Sequence, residues 1–343
     1  MNREYVDLRS DTVTKPTPSM RRAMAEAEVG DDVYGEDPTL NRLQEKAALL
    51  MGKQASLFFP SGTMANQTAV KVHTLPGQEV ICEASCHIYN FETGTMAAFS
   101  GVLPRLVQGD HGVMTPASVE EAVRPKSYYL AQSALLAVEN SHNLAGGTVT
   151  SVERCRELGA VAKRKGLKSH LDGARIFNAA AALGVEASTI AEPFDSVMFC
   201  ISKGLGAPAG SLLCGSAEFI ERARSVRKML GGGMRQAGIL AAAGIVALDE
   251  IRPLLPKDHE RAKRLAECLD ASPHFEVNLE VTRTNIVMTH VVPPLDAARV
   301  ADSLRGRGIL CHSLPENAIR FVTHHQVNDE GIERALEALK GPF

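Results

Sequence analysis

The residue best suited to covalent chemistry is a lysine that follows a buried strand. Lys203 comes just after the short apolar run Ser196–Ile201, whose length and small flanking residues are typical of a buried strand. Gly204, Gly206 and Gly210 form part of the loop that follows. An amine in such a place is partly desolvated, which makes it nucleophilic, as a Schiff-base lysine has to be. An exposed lysine beside a glycine turn would give the same local pattern, so other residues have to distinguish the two.

Polar side chains also follow three other predicted strands at the point where each strand ends. His87 follows the first of these strands, and Glu139 and His142 follow the second. Asp172 and Arg175 follow the third. The carboxyl ends of parallel strands meet at one edge of a sheet, where α/β proteins bind their ligands. We therefore expect these side chains and the lysine to converge on one crevice.

A turn of small residues predicts an anion site at the same edge. Ser61, Gly62 and Thr63 lie between a predicted strand and a predicted helix. Small residues let the N–H groups of the helix start approach a phosphate, and the helix dipole favours the negative charge there. Ser202 could complete the site. The segment lacks the lysine of a Walker loop and the glycine spacing of a dinucleotide-binding fold.

The combination of amine, carboxylate, imidazole and anion cradle is what pyridoxal phosphate requires. Lys203 would form the Schiff base with the aldehyde of the cofactor. Asp172 would pair with the protonated pyridine nitrogen, and His87 would stack on the face of the ring. Taken singly, Asp172 could instead cap a helix and His87 could be an ordinary loop histidine, but the residues together favour the cofactor.

A substrate carboxylate would need cationic partners in the same crevice. Arg175 offers a planar fork for it, and is a candidate for the cofactor site as well. Arg320 and Ser10 could complete the carboxylate site from the small domain and the N-terminal segment. Arg320 could alternatively be a surface residue on an edge strand.

The order of predicted elements indicates an α/β protein of two units. Strands and helices alternate from Ser56 to Cys214, which predicts a mostly parallel sheet with helices on both faces. Ser19 is expected to cap the first helix. We assign residues 1–250 to an N-terminal segment and a large cofactor-binding domain. Residues 251–343 are assigned to a small α+β C-terminal domain.

Composition excludes several classes of protein. The chain has 343 residues and a formal net charge of −3, with no basic run of the kind that binds nucleic acid. No apolar leader or window long enough to span a membrane is present. The seven cysteines are an odd set, mostly within apolar segments, which predicts a reduced, cytoplasmic setting. Cys82 and Cys86-His87 lack a second pair at matching spacing, so no metal site is predicted.

Several segments are similar, in order and spacing, to the motifs of one known family. They are Asp7-Leu8-Arg9-Ser10-Asp11-Thr12-Val13-Thr14, Val29-Gly30-Asp31-Asp32-Val33-Tyr34-Gly35-Glu36-Asp37-Pro38, Pro60-Ser61-Gly62-Thr63-Met64-Ala65-Asn66, Glu139-Asn140-Ser141-His142-Asn143, Asp172-Gly173-Ala174-Arg175-Ile176-Phe177-Asn178, Ser202-Lys203-Gly204-Leu205-Gly206 and Gly231-Gly232-Gly233-Met234-Arg235-Gln236. The chain resembles the low-specificity L-threonine aldolases from Asp7 to about Thr323. These are pyridoxal phosphate enzymes of fold type I, so the resemblance implies a mostly parallel seven-stranded sheet flanked by helices.

The resemblance also implies an assembly and a reaction. The assembly is a tetramer, a dimer of dimers with active sites at the dimer interface. Tyr34 and Arg235 would then reach into the neighbouring subunit's site, Arg235 toward its phosphate. The reaction is retro-aldol cleavage of L-threonine or L-allo-threonine to glycine and acetaldehyde. His87 or His142, directly or through water, would accept the proton of the β-hydroxyl group.

Other reactions on the same scaffold remain alternatives, namely β-elimination and cleavage of phenylserine. The chain departs from the usual family pattern at Ser141, Cys86 and Thr93. These departures bear on substrate preference more than on the type of reaction.

Overall fold

The computed structural model describes residues 5–343. Its strands are β1 (Val6–Asp7), β2 (Ala55–Phe59), β3 (Glu79–Glu83), β4 (Leu103–Val107), β5 (Ser133–Glu139), β6 (Lys168–Asp172), β7 (Ser196–Cys200), β8 (Ser211–Gly215), β9 (Phe275–Val277), β10 (Ile286–Val291), β11 (Ile309–Leu310), β12 (His312–Leu314) and β13 (Ala318–Val322). Its α-helices are α1 (Pro18–Ala25), α2 (Pro38–Met51), α3 (Gly62–His73), α4 (His87–Asn90), α5 (Pro116–Ala122), α6 (Val152–Lys165), α7 (Ile176–Leu183), α8 (Ala187–Ala191), α9 (Ala217–Met229), α10 (Gly238–Val246), α11 (Leu255–Asp270), α12 (Ala297–Gly306) and α13 (Asp329–Leu339).

The large sheet has the strand order β2-β8-β7-β6-β5-β3-β4. Only β8 runs antiparallel to its neighbours, β2 and β7. Residues of β7 alternate between two hydrophobic clusters: Val197 and Phe199 belong to one, Met198 and Cys200 to the other. Because side chains alternate along a strand, these clusters lie on opposite faces of the sheet. The predicted mostly parallel, seven-stranded sheet with both faces covered is confirmed.

The parallel strands bring the predicted site residues to one edge. Glu139 at the end of β5 is in register with Asp172 at the end of β6. Asp172 is in turn in register with Met198 of β7. The loops after β3, β5, β6 and β7 therefore leave the sheet side by side, as the sequence predicts.

A smaller unit follows the large sheet in sequence. Its four-stranded antiparallel sheet has the order β12-β13-β10-β9. Strand β1 pairs in parallel with β11, and Val6 and Leu8 belong to the hydrophobic cluster of this unit. Val6 and Leu8 thus pack on the small unit, although they precede the large one in sequence. The division of the chain at residue 251 remains a prediction.

Helix α11 links the two units. Leu255 at its start belongs to the core of the large sheet, whereas Leu265 and Leu269 belong to the core of the small unit. Across residues 5–343, every helix is either too short or too polar to cross a bilayer.

Candidate active site

A cavity of about 280 Å³ opens at the carboxyl edge of the large sheet, facing the small unit. It is lined by Ser10, Thr12, His87, Phe91, Asn143, Leu144, Arg175, Lys203, His312, Leu314 and Arg320. A larger cavity of about 530 Å³ lies beside α13, but none of the predicted site residues lines it. The smaller cavity therefore brings together Lys203, His87 and both predicted substrate arginines.

The backbone of Lys203 is fixed from two sides. The hydroxyl of Thr14 donates a hydrogen bond to the Lys203 carbonyl at 2.9 Å, and the N–H of Gly206 donates to it at 2.9 Å. Gly206 adopts a positive φ of 78°, and a Cβ atom there would lie 2.6 Å from the ring of His325. Glycine is therefore required at 206. Among residues 5–343, the Lys203 amine has no ion-pair partner within 4 Å, so it is available for chemistry.

Asp172 is buried behind the cavity at the end of β6. One carboxylate oxygen, Oδ2, accepts a hydrogen bond from Asn66 Nδ2 at 2.8 Å. The other, Oδ1, accepts one from the N–H of Ala174 at 3.1 Å. A buried carboxylate with fixed donors on both oxygens is suited to pair with a cationic ring nitrogen.

His87 begins α4, and its orientation is set by two glutamates. Its backbone N–H donates to Glu139 Oε2 at 2.6 Å, and its ring Nδ1 lies 3.0 Å from Glu92 Oε1. Burial acts against protonation, but the hydrogen bond to Glu92 and the charge of Asp172 raise the pKa of His87. Because a carboxylate only accepts, Nδ1 carries the proton and Nε2 is left with a free lone pair.

His87, Glu92 and Asp172 bring their potential ligand atoms within 4.8 Å of one another. This spacing could accommodate a metal ion. However, Asn66 Nδ2 donates to both carboxylates, at 2.9 Å for Glu92 and 2.8 Å for Asp172. An N–H group directed at the two carboxylates opposes a cation between them.

Arg175 is not the free fork that the sequence predicts. Its Nε and Nη2 atoms each donate to an oxygen of the buried Asp11 carboxylate, both at 2.7 Å. Only Nη1 points elsewhere, toward Asn143 Oδ1 at 3.3 Å. The Arg175 guanidinium can therefore offer a substrate one N–H direction and its charge, but not a bidentate contact.

Arg320 reaches the same point from β13. Its Nη1 also donates to Asn143 Oδ1 at 3.3 Å, so two guanidiniums converge on one amide oxygen. Burial and the charge of Arg175 lower the pKa of Arg320. Within residues 5–343 its buried Nε has no hydrogen-bond partner. We call the place where Arg175 and Arg320 meet the cationic corner. Its two positive charges and its unpaired N–H would stabilise an anionic group of a ligand.

His142 lies outside the cavity, contrary to the expectation from its strand. Its ring is 1% exposed. Its Nε2 lies 3.0 Å from Glu83 Oε2, and its Nδ1 accepts a hydrogen bond from the N–H of Ala145 at 3.3 Å. Both ring nitrogens are therefore engaged, and no lone pair is left for a substrate. The position of a residue after a strand does not determine which way the loop turns its side chain, and here the loop turns the His142 ring toward Glu83.

The predicted phosphate cradle lies at the start of α3. Ser61 caps the helix by accepting a hydrogen bond from the N–H of Met64 at 3.2 Å. A Cβ atom on Gly62 would lie 2.9 Å from Cys200 Sγ and 2.9 Å from Met198 Cε, so the helix start packs tightly on β7. The N–H groups at a helix start have no partner within the helix. They remain suited to an anion, with Ser202 following the neighbouring strand end.

Tyr34 and Arg235 lie on the outer surface and do not line the cavity. Tyr34 is 75% exposed, and Arg235 Nη1 donates to Asp31 at 2.9 Å. Their predicted roles in a neighbouring subunit therefore remain predictions.

Four residues with evident roles in the site were not assigned from the sequence: Asp11, Asn66, Glu92 and Asn143. Asp11, Asn66 and Asn143 lie in segments similar to the known family, which marks them as candidates. Nothing in the sequence indicates which side chains they contact. Glu92 lies outside those segments, and its only signal is its place five residues after His87.

The observed set fits pyridoxal phosphate. The free amine of Lys203, the buried Asp172 carboxylate and the α3 start supply partners for its aldehyde, ring nitrogen and phosphate. An α/β fold with these groups at one sheet edge defines a pyridoxal phosphate enzyme of fold type I.

Comparison with known proteins identifies the family of the chain within this class. Residues 7–292 match the beta-eliminating lyase family. Low-specificity L-threonine aldolase 1 of Arabidopsis thaliana is 46% identical, over 98% of this chain and 95% of that protein. Low specificity L-threonine aldolase of Escherichia coli K12 is 42% identical, over 95% of each chain. A solved structure of Leishmania major threonine aldolase superposes with a TM-score of 0.84 at 20% identity, covering 97% of this chain and 98% of that one. The chain belongs to the beta-eliminating lyase family.

Proposed function

We propose that the protein is a pyridoxal phosphate-dependent aldolase that cleaves L-threonine or L-allo-threonine to glycine and acetaldehyde. The observation that supports this most is the single cavity that joins Lys203, His87, Arg175 and Arg320. The extensive similarity to L-threonine aldolases supports the same substrate class.

Six residues of one subunit would hold the cofactor: Lys203, Asp172, Ser61, Gly62, Thr63 and Ser202. Lys203 would bind the aldehyde carbon, and Asp172 would pair with the ring nitrogen. His87 would lie against the ring, and Arg235 of a neighbouring subunit would contact the phosphate. When bound, the cofactor supplies an electron sink for the bond that breaks.

The substrate carboxylate would bind at the cationic corner. Arg175 Nη1, Arg320 and the hydroxyl of Ser10 would act as its donors. Both guanidiniums already converge on Asn143 Oδ1, an uncharged acceptor. A carboxylate is a stronger acceptor for such donors, so it would displace that contact.

His87 is the proposed base for the β-hydroxyl proton. Glu92 holds the Nδ1 proton, which leaves Nε2 as the acceptor on the ring that borders the cavity. Because His87 has a raised pKa, its neutral form becomes available as pH rises. As the β-hydroxyl proton is lost, the Cα–Cβ bond would break and release the aldehyde, and a proton returned to Cα would give glycine.

The same proposal includes an assembly and a location. A tetramer, formed as a dimer of dimers, would bring Tyr34 and Arg235 to the neighbouring site. A cytoplasmic location is proposed from the odd number of cysteines, and the reaction would serve threonine degradation and glycine formation. Sedimentation analysis tests the tetramer, and mixing of Lys203→Ala with Arg235→Ala subunits tests shared sites. Recovery of activity on mixing is the expected result.

The first experiment is to incubate the purified protein with L-threonine or L-allo-threonine and to follow acetaldehyde with a coupled alcohol dehydrogenase. Aldehyde formation that depends on pyridoxal phosphate is expected, and the ratio of the two rates gives the stereochemical preference. Lys203→Ala should lose both covalent cofactor binding and activity. Release of pyruvate and ammonia instead of glycine and aldehyde would indicate β-elimination and would refute the proposal.

The assignment of the base is tested separately. His87→Asn should lower kcat strongly, whereas His142→Phe should lower thermal stability and leave cleavage per folded molecule within a few-fold. Full activity in His87→Asn would remove His87 from this role.

A further inference from the structure

Asn66 sits at the centre of a buried polar cluster beneath the cavity. It is fully buried on α3. Its Nδ2 atom donates to Asp172 Oδ2 at 2.8 Å and to Glu92 Oε1 at 2.9 Å. Its Oδ1 atom lies 3.0 Å from Nε2 of His170, which is also fully buried and precedes Asp172 by two residues on β6. Both N–H groups of the Asn66 amide and one of the two lone pairs of its oxygen therefore have hydrogen-bond partners.

The cluster continues away from the cavity through a serine and a second histidine. His170 Nδ1 lies 2.9 Å from the hydroxyl of Ser196, the first residue of β7. The same hydroxyl lies 2.8 Å from Nε2 of His73, at the end of α3. The His73 ring stacks on Phe219, with centroids 4.5 Å apart. A continuous chain of hydrogen bonds thus runs from His73 to Asp172.

The direction of every bond in this chain follows from its carboxylate end. Ionised carboxylates only accept, so the Asn66 amide presents its NH₂ group to them and its oxygen to His170. His170 Nε2 then carries the ring proton, and Nδ1 accepts from the Ser196 hydroxyl. That hydroxyl has no second proton, so it accepts from His73 Nε2. Each group donates toward the carboxylates, and the bonds polarise one another in the same sense.

The protonation states of the two histidines agree with this direction. Burial lowers the pKa of His170 to about 4 and that of His73 to about 3. Both rings are therefore neutral near pH 7, with one N–H each. The directed chain needs that arrangement, because a second ring proton would leave the Ser196 hydroxyl facing a donor.

The two carboxylates need such donors because they lie close together. Like charges at such short range repel each other. The Asn66 amide separates them by donating to both, and Gln67 Nε2 donates to the second oxygen of Glu92 at 2.5 Å. Without Asn66, Asp172 Oδ2 would lose its side-chain donor, and repulsion from Glu92 could turn the carboxylate away from a cationic ring nitrogen.

We infer that Asn66 and His170 are positioning residues that hold the Asp172 carboxylate in the orientation that pairs with the pyridine nitrogen of the cofactor, through the directed chain that begins at His73. They act through Asp172 and do not touch the substrate. The inference rests on the proposed function, since it concerns the cofactor that this function requires.

The test compares variants that break the chain at different points. Asn66→Ala removes the amide, and His170→Leu removes the donor to it. His170→Gln can restore a donor and an acceptor at the same place. Ser196→Ala removes a single hydroxyl, and it keeps the test open if a larger change prevents folding. His259→Leu is the control, because His259 is a partly buried histidine that contacts Asn178 instead of the chain.

Two measurements are made on each folded variant: the dissociation constant for pyridoxal phosphate, and the ¹⁵N chemical shift of the ring nitrogen in bound, ¹⁵N-labelled cofactor. Asn66→Ala and His170→Leu should weaken binding at least tenfold and move the shift toward that of a neutral pyridine. Ser196→Ala should move both in the same direction by a smaller amount. His170→Gln and His259→Leu should stay near wild type.

The outcomes separate this inference from the proposed function. If the wild-type protein binds pyridoxal phosphate but the chain variants keep its ring-nitrogen shift and bind it within twofold of wild type, the inference is wrong and the function stands. If His259→Leu changes the shift as much as His170→Leu does, loss of a buried histidine explains the effect, and the inference is also wrong. If the wild-type protein does not bind the cofactor, both fail.

Discussion

Replacing Asp11 by asparagine should destabilise the protein strongly, because it leaves a buried guanidinium without its counter-ion. Asp11 is fully buried, and both of its oxygens accept hydrogen bonds from Arg175 at 2.7 Å. Removing one partner of a buried ion pair costs about 3–5 kcal/mol. Unfolding entropy is about 2.1 cal/mol/K per residue, so a cooperative unit of about 250 residues would lose roughly 6–10 °C in Tm.

The pH dependence of this effect has a definite sign. Burial favours the neutral acid, but the charge and hydrogen bonds of Arg175 hold the pKa of Asp11 well below its ordinary value of 3.8. A lowered pKa contributes stability that is present above the unfolded-state value and is lost as pH falls toward the folded-state value. The difference between wild type and Asp11→Asn should therefore be constant from pH 6 to 8 and shrink below about pH 4.

Urea unfolding at 25 °C and calorimetry measure this difference. The control is Asp249→Asn, which breaks the partly exposed pair of Asp249 with Lys46. It should change the free energy of unfolding by less than about 1 kcal/mol, as exposed ion pairs do. A loss below about 1 kcal/mol for Asp11→Asn as well would show that the buried pair has no special weight, and would refute the reasoning.

Three further predictions concern single contacts. Glu92→Gln should lower the pKa of His87, because it removes the charge that faces Nδ1; a histidine NMR titration of the cofactor-free protein would show an unchanged pKa if the contact were unimportant. Gly62→Ala should lower the free energy of unfolding by about 1–3 kcal/mol and weaken cofactor binding, since the added methyl group would meet β7 side chains at 2.9 Å. The control is Gly306→Ala, which has nothing within 4 Å and should leave the free energy of unfolding unchanged in the same denaturant experiment. Burial raises the pKa of Asp258 to about 7, above its ordinary 3.8, so the free energy of unfolding falls as pH rises through that interval. The stability of Asp258→Asn relative to wild type should therefore be greater at pH 8 than at pH 5, as urea unfolding at the two pH values would show.

The sequence predicts the sheet and the convergence of loops well because both depend on local patterns. The apolar run before Lys203 forms a strand whose five residues are all buried. The glycines after Lys203 lie in the loop that follows this strand. The predicted start of the first helix is wrong: the helix is capped by Thr17, with Pro18 at its first position, and not by Ser19. Proline is suited to that position because its missing N–H would have no partner there.

Contacts between buried polar side chains could not be predicted in the same way. Asp11 and Arg175 are 164 residues apart, and no periodicity or spacing links them. His142 illustrates the opposite error, since its position after a strand suggested the cavity. Its ring instead turns toward Glu83, and a Cβ atom on Gly112 would lie 2.5 Å from it. The direction in which such a side chain turns depends on the space that neighbouring loops leave for it, and this space is set only by the packed structure.

The Asp11–Arg175 pair also determines how much of the guanidinium a substrate can use. Asp11 occupies Nε and Nη2, so Nη1 alone is directed toward the point where Arg320 also arrives. If Asp11 becomes neutral, Arg175 is free to rotate and the two guanidiniums repel each other with less compensation. Substrate binding then has to order Arg175, which costs binding energy before the reaction begins. Asp11→Asn should therefore raise KM for L-threonine more than it lowers kcat, and an effect confined to kcat would place Asp11 in the chemical step instead.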